Sequence, residues 1–336
     1  MTAGTLVVRA PNWLGDTVMA LPALRALKAA SADSRVTVVG RWAALLAGQG
    51  AADVLLPYPR RFGDRLKLAR ALRADRCDTA VVLPNSLESA LAAWSWRARR
   101  RVGFDTEERG PLLTDAVPRP EPRLHQIDEY ALLVGTAGAE VQDRTPRWRP
   151  EHGARADEAQ VLLATAGIAA DAPIVGLHLG AAFGGSKLWP PEAFGELAGR
   201  LAARDLAPLL LGAPDDAATA DAVIAAARPT PSSLVGRDRP DLLPSLLSRL
   251  ACLVSGDTGV AHLAAALGVP TVTLFGPTDP RLTAPRGPAA QALATAAPCS
   301  PCFLVECPID HVCLRGLSVS EVERAVERAL SAPRGT

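Results

Sequence analysis

The sequence predicts an α/β protein made of two parallel, doubly wound units. Three observations carry that expectation. Short apolar runs of strand length alternate with longer stretches whose apolar residues recur every three or four positions. The alternation occurs twice, on either side of a Pro- and Arg-rich segment at residues 141–153, VQDRTPRWRPEHG, which reads as a linker. The 336 residues are 49% hydrophobic but only 4% aromatic, so Ala, Leu and Val supply two cores of helices packed on sheets rather than a β-sandwich. The expected domains are residues 1–150 and 151–336.

In the first domain a strand is expected over 5–10, followed by the loop 11–15. Asp16 then caps a single helix whose apolar positions Val18, Leu21, Leu24 and Leu27 share one stripe. Strands follow over 36–39 and 54–56. The helix over 62–74 carries a basic face with Arg60, Arg61, Arg65, Lys67, Arg70 and Arg73 on or beside it. A buried strand over 79–83 leads to a helix over 86–96, which ends in Arg97, Arg99, Arg100 and Arg101 before a strand over 102–104. From 118 the pattern weakens, and one helix over 127–137 precedes the linker.

The second domain starts with a helix from 157. Its strands are expected over 174–179, 208–211, 233–235, 251–254 and 271–275, with helices over 191–204, 217–227 and 242–250. A terminal helix spans 318–330, with Val319, Val322, Val326 and Leu330 on one stripe. No period of 20–50 residues is present, which excludes a repeat protein.

The stretch 254–280, VSGDTGVAHLAAALGVPTVTLFGPTDP, organises the rest. It reads strand, turn, helix, turn, strand. Asp257 or Thr258 stands at the N-cap, and Gly268 stands at C′ with Pro270 just beyond. A helix starting directly after a buried strand aims free N–H groups and the positive dipole end at an anion. Gly256 and Gly259 let a ligand approach the backbone. His262 falls one turn into the helix, on the face of its start.

Composition excludes several classes. A net charge of +1 gives no global reason to expect nucleic acid. No window holds 18 uncharged apolar residues, and no basic region precedes an apolar segment at the N-terminus, so a cytoplasmic protein is expected. The first strand is not followed by GxGxxG, which disfavours a nicotinamide enzyme.

Four groups carry candidate chemistry. Asp16 lies at the carboxyl edge of the first sheet, either as a plain cap or as a general base. GAAFGGSK, residues 180–187, resembles a phosphate loop without being a Walker A sequence, because Ser186 separates Gly185 from Lys187. Lys187 is either a solvated loop lysine or a point charge for a diphosphate. Asp257, Thr258, Gly259 and His262 form the third group. Cys299, Cys302, Cys307 and Cys313 form the fourth, with spacing that suits a closed tetrahedral structural zinc site, reduced thiols or a pair of disulfides.

The segments RAPNWLGDTVMALPALRALK (9–28), LHLGAAFGGSKLWPPEAFGEL (177–197), SGDTGVAHLAAALGVPTVTLFGPTDP (255–280) and PCSPCFLVECPIDHVCLRGLSVSEV (298–322) together resemble the bacterial heptosyltransferases of the lipopolysaccharide core, glycosyltransferase family 9. They span nearly the whole chain, in the family's order, and the Cys-rich tail resembles the subset that transfers the second heptose. The resemblance implies a GT-B fold, two Rossmann-like domains facing a cleft. The nucleotide sugar would sit in the C-terminal domain and the acceptor in the N-terminal one.

By motif position Asp16 corresponds to the general base and Lys187 to the lysine on the donor phosphate. Asp257, Thr258, Gly259 and His262 match the donor motif. Asp215 and Asp216 fall where the donor's ribose is met. Residues 180–185 depart from the hydroxyl-rich version of that segment, so backbone N–H groups from Gly180 onward would make the donor contact.

The implied reaction is one inverting in-line displacement from an ADP-heptose-like donor, with no cofactor required for catalysis. Arg65, Arg97 and Arg101 would receive a phosphorylated glycolipid acceptor at the inner membrane surface, the enzyme being cytoplasmic or peripheral there. Two rivals accompany this reading: a family 9 enzyme with another nucleotide sugar or acceptor, and a non-catalytic binding protein with a metal-held cysteine module.

Overall fold

The computed structural model describes residues 4–237 and 239–331. The chain divides into two compact units, Met1–Pro146 and Arg147–Thr336. The first contains β1 (Thr5–Arg9), α1 (Leu14–Met19), α2 (Leu21–Ala30), β2 (Arg35–Gly40), β3 (Val54–Pro57), α3 (Phe62–Ala74), β4 (Cys77–Val82), α4 (Leu87–Ser95), β5 (Arg100–Phe104), β6 (Asp115–Val117) and α5 (Gln126–Thr136). The second contains α6 (Ala154–Thr165), β7 (Ile174–His178), α7 (Pro191–Ala202), β8 (Ala207–Leu211), α8 (Ala217–Ala226), β9 (Ser232–Ser233), α9 (Leu243–Leu247), β10 (Cys252–Gly256), α10 (Gly259–Ala266), β11 (Thr271–Phe275), α11 (Pro280–Thr283), β12 (Ala290–Ala294), α12 (Val312–Arg315) and α13 (Val319–Ser331).

Each unit is a parallel sheet with the same topology. The first runs β3-β2-β1-β4-β5-β6 and the second β12-β11-β10-β7-β8-β9, which in each unit's own numbering is the order 3-2-1-4-5-6 of a doubly wound sheet. That order fixes a switch point in each unit, between β1 and β4 and between β7 and β10. Strands at these positions are buried on both faces. β7, β10 and β11 are buried along their whole length, so their apolar runs lack alternation. Among the described residues no helix is long and apolar enough to cross a membrane.

The expected helix after β1 is in fact two. α1 ends at Met19 and α2 begins at Leu21, with Ala20 in the right-handed region between them. Pro22 explains the break, because it has no N–H to bond the Val18 carbonyl and its ring crowds that turn. Asp16 is not a cap. Trp13 occupies the N-cap position without a side-chain bond, and Asp16 is the third helical residue, in the acidic first turn.

β6 and β12 were not anticipated. Each is a partly exposed edge strand, DAV and AQALA, with no alternation to announce it, and each is placed by pairing with β5 or β11.

The core of the second unit gathers Val175, Leu177, Trp189, Phe194, Leu197, Cys252, Val254 and Val272 with the buried stripe of α13. Arg200 on α7 reaches Glu323 of α13 at 2.9 Å, tying the terminal helix down.

Candidate functional site

The switch point of the second unit is where a doubly wound sheet holds its ligand. Gly256 ends β10 there. A Cβ on Gly256 would stand 2.9 Å from the Lys187 carbonyl, so this glycine admits a close-packed protein turn. That turn is the short 3₁₀ segment Gly185–Lys187.

Lys187 is not a solvated loop lysine. Its side chain is 10% exposed, and Nζ donates to the Asp257 carboxylate at 2.7 Å and to the Asp257 carbonyl at 2.9 Å. The same carboxylate oxygen accepts the Thr278 hydroxyl at 2.7 Å, and its other oxygen lies 3.8 Å from His262 Nε2. Burial pushes the Asp257 carboxyl up, but His262 and the Lys187 ammonium outweigh it and hold the group well below the usual carboxylate range. The buried aspartate is therefore ionised at neutral pH, and the ammonium sits 4.8 Å over the Phe183 ring.

Thr258 takes the N-cap position of α10, but its side chain does not cap. Its hydroxyl lies 3.0 Å from Ser255 Oγ, so the first N–H groups of α10 receive nothing from it. Ser255 Oγ is 3.4 Å from His178 Nδ1 at the end of β7. Burial pushes His178 down to about 4, so it is a neutral imidazole at pH 7. The lysine, the aspartate, the histidine and the helix start thus converge on one sheet edge.

The Asp215–Asp216 pair divides. Asp215 is exposed. Asp216 turns back, accepts the Ala213 N–H at 2.7 Å, and fills the space over Gly180 and Gly212. A Cβ on Gly180 would overlap Asp216 Oδ2, which explains the glycine.

Of the three readings the cysteine spacing left open, the zinc site is not formed and the thiols are free. Among the described residues, no group of three or more His, Cys, Asp or Glu side chains could hold a metal ion. Cys313 belongs to the buried core, Cys307 Sγ accepts the His311 backbone N–H at 3.1 Å, Cys299 is exposed, and Cys302 is a free thiol like the others. The physical reason is that this segment is a brace. Ser186 N and Oγ donate to the Val305 and Leu304 carbonyls at 3.1 and 2.6 Å. Cys302 and Phe303 N–H groups both reach the Pro277 carbonyl, at 3.0 and 2.8 Å. It therefore grips the Lys187 turn on one side and the turn that carries Thr278 on the other.

In the first unit Asp16 is half-buried on α1, after the carboxyl end of β1. The Tyr130 hydroxyl on α5 is raised well above its usual range, first by burial and then by the charges of Asp16 and Glu129, which marks Asp16 as its neighbour. Glu129 is fully buried and paired with Arg119 and Arg123 at 2.8 and 3.1 Å.

The loop before α1 is pinned by Arg9, a fully buried residue. Arg9 Nη2 donates to Asn12 Oδ1 at 2.7 Å and Nη1 to the Ala10 carbonyl at 2.5 Å, while the guanidinium lies 3.8 Å from the Tyr58 ring centre. Tyr58 bonds Glu88, which also accepts from Arg65 at 3.1 Å.

Of the three expected acceptor arginines, Arg65 shares the carboxyl edge with Asp16, because α3 follows β3. Arg97 follows α4 and Arg101 lies early in β5, so both are at the opposite, amino edge. Arg101 is spent on the Leu112 and Ala98 carbonyls.

Sequence reasoning missed Thr278, Ser255, His178, Arg9 and the Arg119–Arg123–Glu129 cluster. Polar residues ending apolar strands were the available signal for Arg9, His178 and Ser255. The cluster lies in a stretch without periodicity.

The family described as glycosyltransferase family 9 (heptosyltransferase) matches residues 65–313. Lipopolysaccharide heptosyltransferase 2 of Escherichia coli K12 is 30% identical over 295 residues, covering 83% of this chain and 85% of that protein. The Salmonella typhimurium enzyme of the same name is 29% identical over 301 residues, with the same coverage. Among solved structures, E. coli ADP-heptose lps heptosyltransferase II superposes with a TM-score of 0.81 at 26% identity, covering 98% of both chains. A family 9 glycosyl transferase from Veillonella parvula has a TM-score of 0.84 at 22% identity, covering 98% of this chain and 99% of that one. The fold class is thus the expected GT-B one, with two Rossmann-like units. The paired sheets, the buried lysine–aspartate site and these relatives lead to one conclusion: the chain belongs to glycosyltransferase family 9, the heptosyltransferases.

Proposed function

We propose that this enzyme transfers a heptose from an ADP-heptose-like donor to a lipopolysaccharide inner-core-type acceptor, inverting the anomeric carbon with Asp16 as general base. The observation that carries the donor half is the Lys187–Asp257 pair at the start of α10. Lys187 has three donors, of which Asp257 takes two, leaving the third for a phosphate oxygen of the donor. The α10 N–H groups meet the same diphosphate. His262 and Gly259 complete the donor contacts, with Gly180 and Asp215 at the nucleoside end.

In the reaction the acceptor hydroxyl oxygen attacks the anomeric carbon as Asp16 takes its proton. The bond from that carbon to the ADP oxygen breaks, and ADP leaves with the electron pair. The charge growing on ADP is stabilised by Lys187 and the helix start. Asp16 then returns its proton to water. The E. coli relative's ADP-heptose supports this choice of donor, and Arg65, on the carboxyl edge of the first sheet, is the arginine best disposed toward a phosphorylated glycolipid. The enzyme works in the cytoplasm, at the inner membrane surface.

Asp16→Ala tests the base. Transfer should fall by roughly 10²–10⁴-fold while the rise in melting temperature on adding donor is retained. Full activity in this variant would sink the assignment. Thermal shifts with ADP-heptose and with UDP-sugars separate this reading from a family 9 enzyme with another donor.

A further inference from the structure

We propose that the outer face of α3 and α4 docks onto an anionic phospholipid surface. The two helices lie side by side. Arg65 Nη1 bonds Glu88 at 3.1 Å, Arg73 Nε bonds the Ser95 carbonyl at 2.5 Å, and Ala69 and Leu72 meet Ala90 and Ala93 in one buried cluster. Small residues thus face the sheet.

Beside these buried positions, the two helices do not carry only the polar side chains such helices normally turn to water, and Phe62 begins the stripe that Ala69 continues into the core. On α3, Phe62 and Leu66 stand one turn apart. On α4, Leu87, Leu91 and Trp94 follow at i, i+4 and i+7, which aligns them on one stripe. All five are exposed, Phe62 at 73% and Trp94 at 56%. Single exposed apolar side chains are ordinary, but two such stripes on adjacent helices make a patch that marks an interaction surface.

The rim of this patch identifies its partner. Residues 60–73 hold six basic side chains against one acidic, in a chain whose net charge is +1. Arg60, Arg61, Lys67, Arg70 and Arg73 are exposed around the apolar stripe, and Arg97 follows α4. Of the acidic groups nearby, Asp64 is paired with Lys67 at 2.9 Å and Glu88 with Arg65 at 3.1 Å, while Glu107 accepts the Leu87 N–H at 3.2 Å at one end of the patch. Apolar side chains inside a cationic ring match acyl chains beneath anionic headgroups. A second copy fits less well, since two-fold pairing would set the same arginines against each other. The inference rests on the reading of a membrane-bound acceptor and names the face that meets the membrane.

Co-sedimentation with vesicles tests it. The full-length protein should sediment with phosphatidylglycerol–phosphatidylcholine vesicles, lose binding as salt is raised, and remain in the supernatant when the vesicles are pure phosphatidylcholine. The triple variant Phe62→Ser/Leu66→Ser/Trp94→Ser and the charge variant Arg70→Glu should each weaken binding on the order of ten-fold or more. Both should keep wild-type turnover on an acyl-free, water-soluble acceptor fragment. Wild-type vesicle binding in both variants, or equal binding to neutral vesicles, overturns the proposal. So does a wild-type dimer that the triple variant splits without changing vesicle binding. Residue-dependent vesicle binding by a protein that transfers no heptose upholds the docking face and removes the transferase reading alone.

Discussion

Replacing Lys187 by Met removes one half of a buried ion pair and so reads the strength of the site directly. The two charges are 2.7 Å apart, with side chains 10% and 7% exposed. At an effective dielectric near 20 their attraction is about 6 kcal/mol, and burial of both groups opposes it. Removing one partner of such a pair commonly costs about 3–5 kcal/mol, because the remaining charge is stranded. Asp257 keeps the Thr278 hydroxyl at 2.7 Å and His262 at 3.8 Å, so the lower end applies. About 3 kcal/mol in a unit of this size corresponds to a fall in melting temperature of about 6–12 °C.

The pH dependence gives a second readout. The Asp257 carboxyl is held below its unfolded value of 3.8, so its contribution is present at neutral pH and is lost as pH falls from that value toward the depressed native one. In the variant, burial acts without the ammonium, so Asp257 takes up a proton at a higher pH. The melting gap between the two proteins should therefore be widest at pH 7 and narrow on acidification. Circular-dichroism melts across pH measure it, with Asp257→Asn and the double variant completing a cycle. The reasoning is refuted by a gap under about 2 °C at pH 7, or by strict additivity where coupling of about 1–3 kcal/mol is expected.

Other consequences follow from neighbouring contacts. Gly184 has φ +145°, and a Cβ there would overlap the Val305 carbonyl. Gly184→Ala should cost about 2–3 kcal/mol and, by loosening the Lys187 turn, raise the KM for donor; an unchanged melt and KM would contradict the bracing role of the cysteine segment. His178 is held near 4, below its unfolded value of 6.5, so the unfolded state binds its proton first as pH drops. Stability should fall by up to about 3 kcal/mol between pH 7 and pH 4, and His178→Gln should flatten that slope. Parallel urea-stability profiles for the two proteins would exclude His178 as the cause.

What the sequence determined by itself was the parallel α/β architecture and most element boundaries. Both follow from local rules: apolar runs that leave no alternation, helical spacing, and Gly and Pro as punctuation. α3, for instance, spans the range its pattern predicts, and Gly268 stands just past the end of α10. The chemistry at 254–262 was legible for the same reason, because strand, turn and helix start are consecutive in the chain. Tertiary structure alone decided the rest. Lys187 meets Asp257 across 70 positions, which neither segment's own pattern encodes. Edge strands β6 and β12 exist because β5 and β11 offer them backbone partners, not because DAV or AQALA prefer extension. Arg97 and Arg101 shared a basic run with one reading in the sequence, yet strand direction sends them to the edge away from Asp16. The cysteines carried metal-like spacing, but spacing is only distance along the chain. Folding drew Cys313 into the core and used the carbonyls of Leu304 and Val305 to hold the Lys187 turn, and a ligand set exists only where side chains converge.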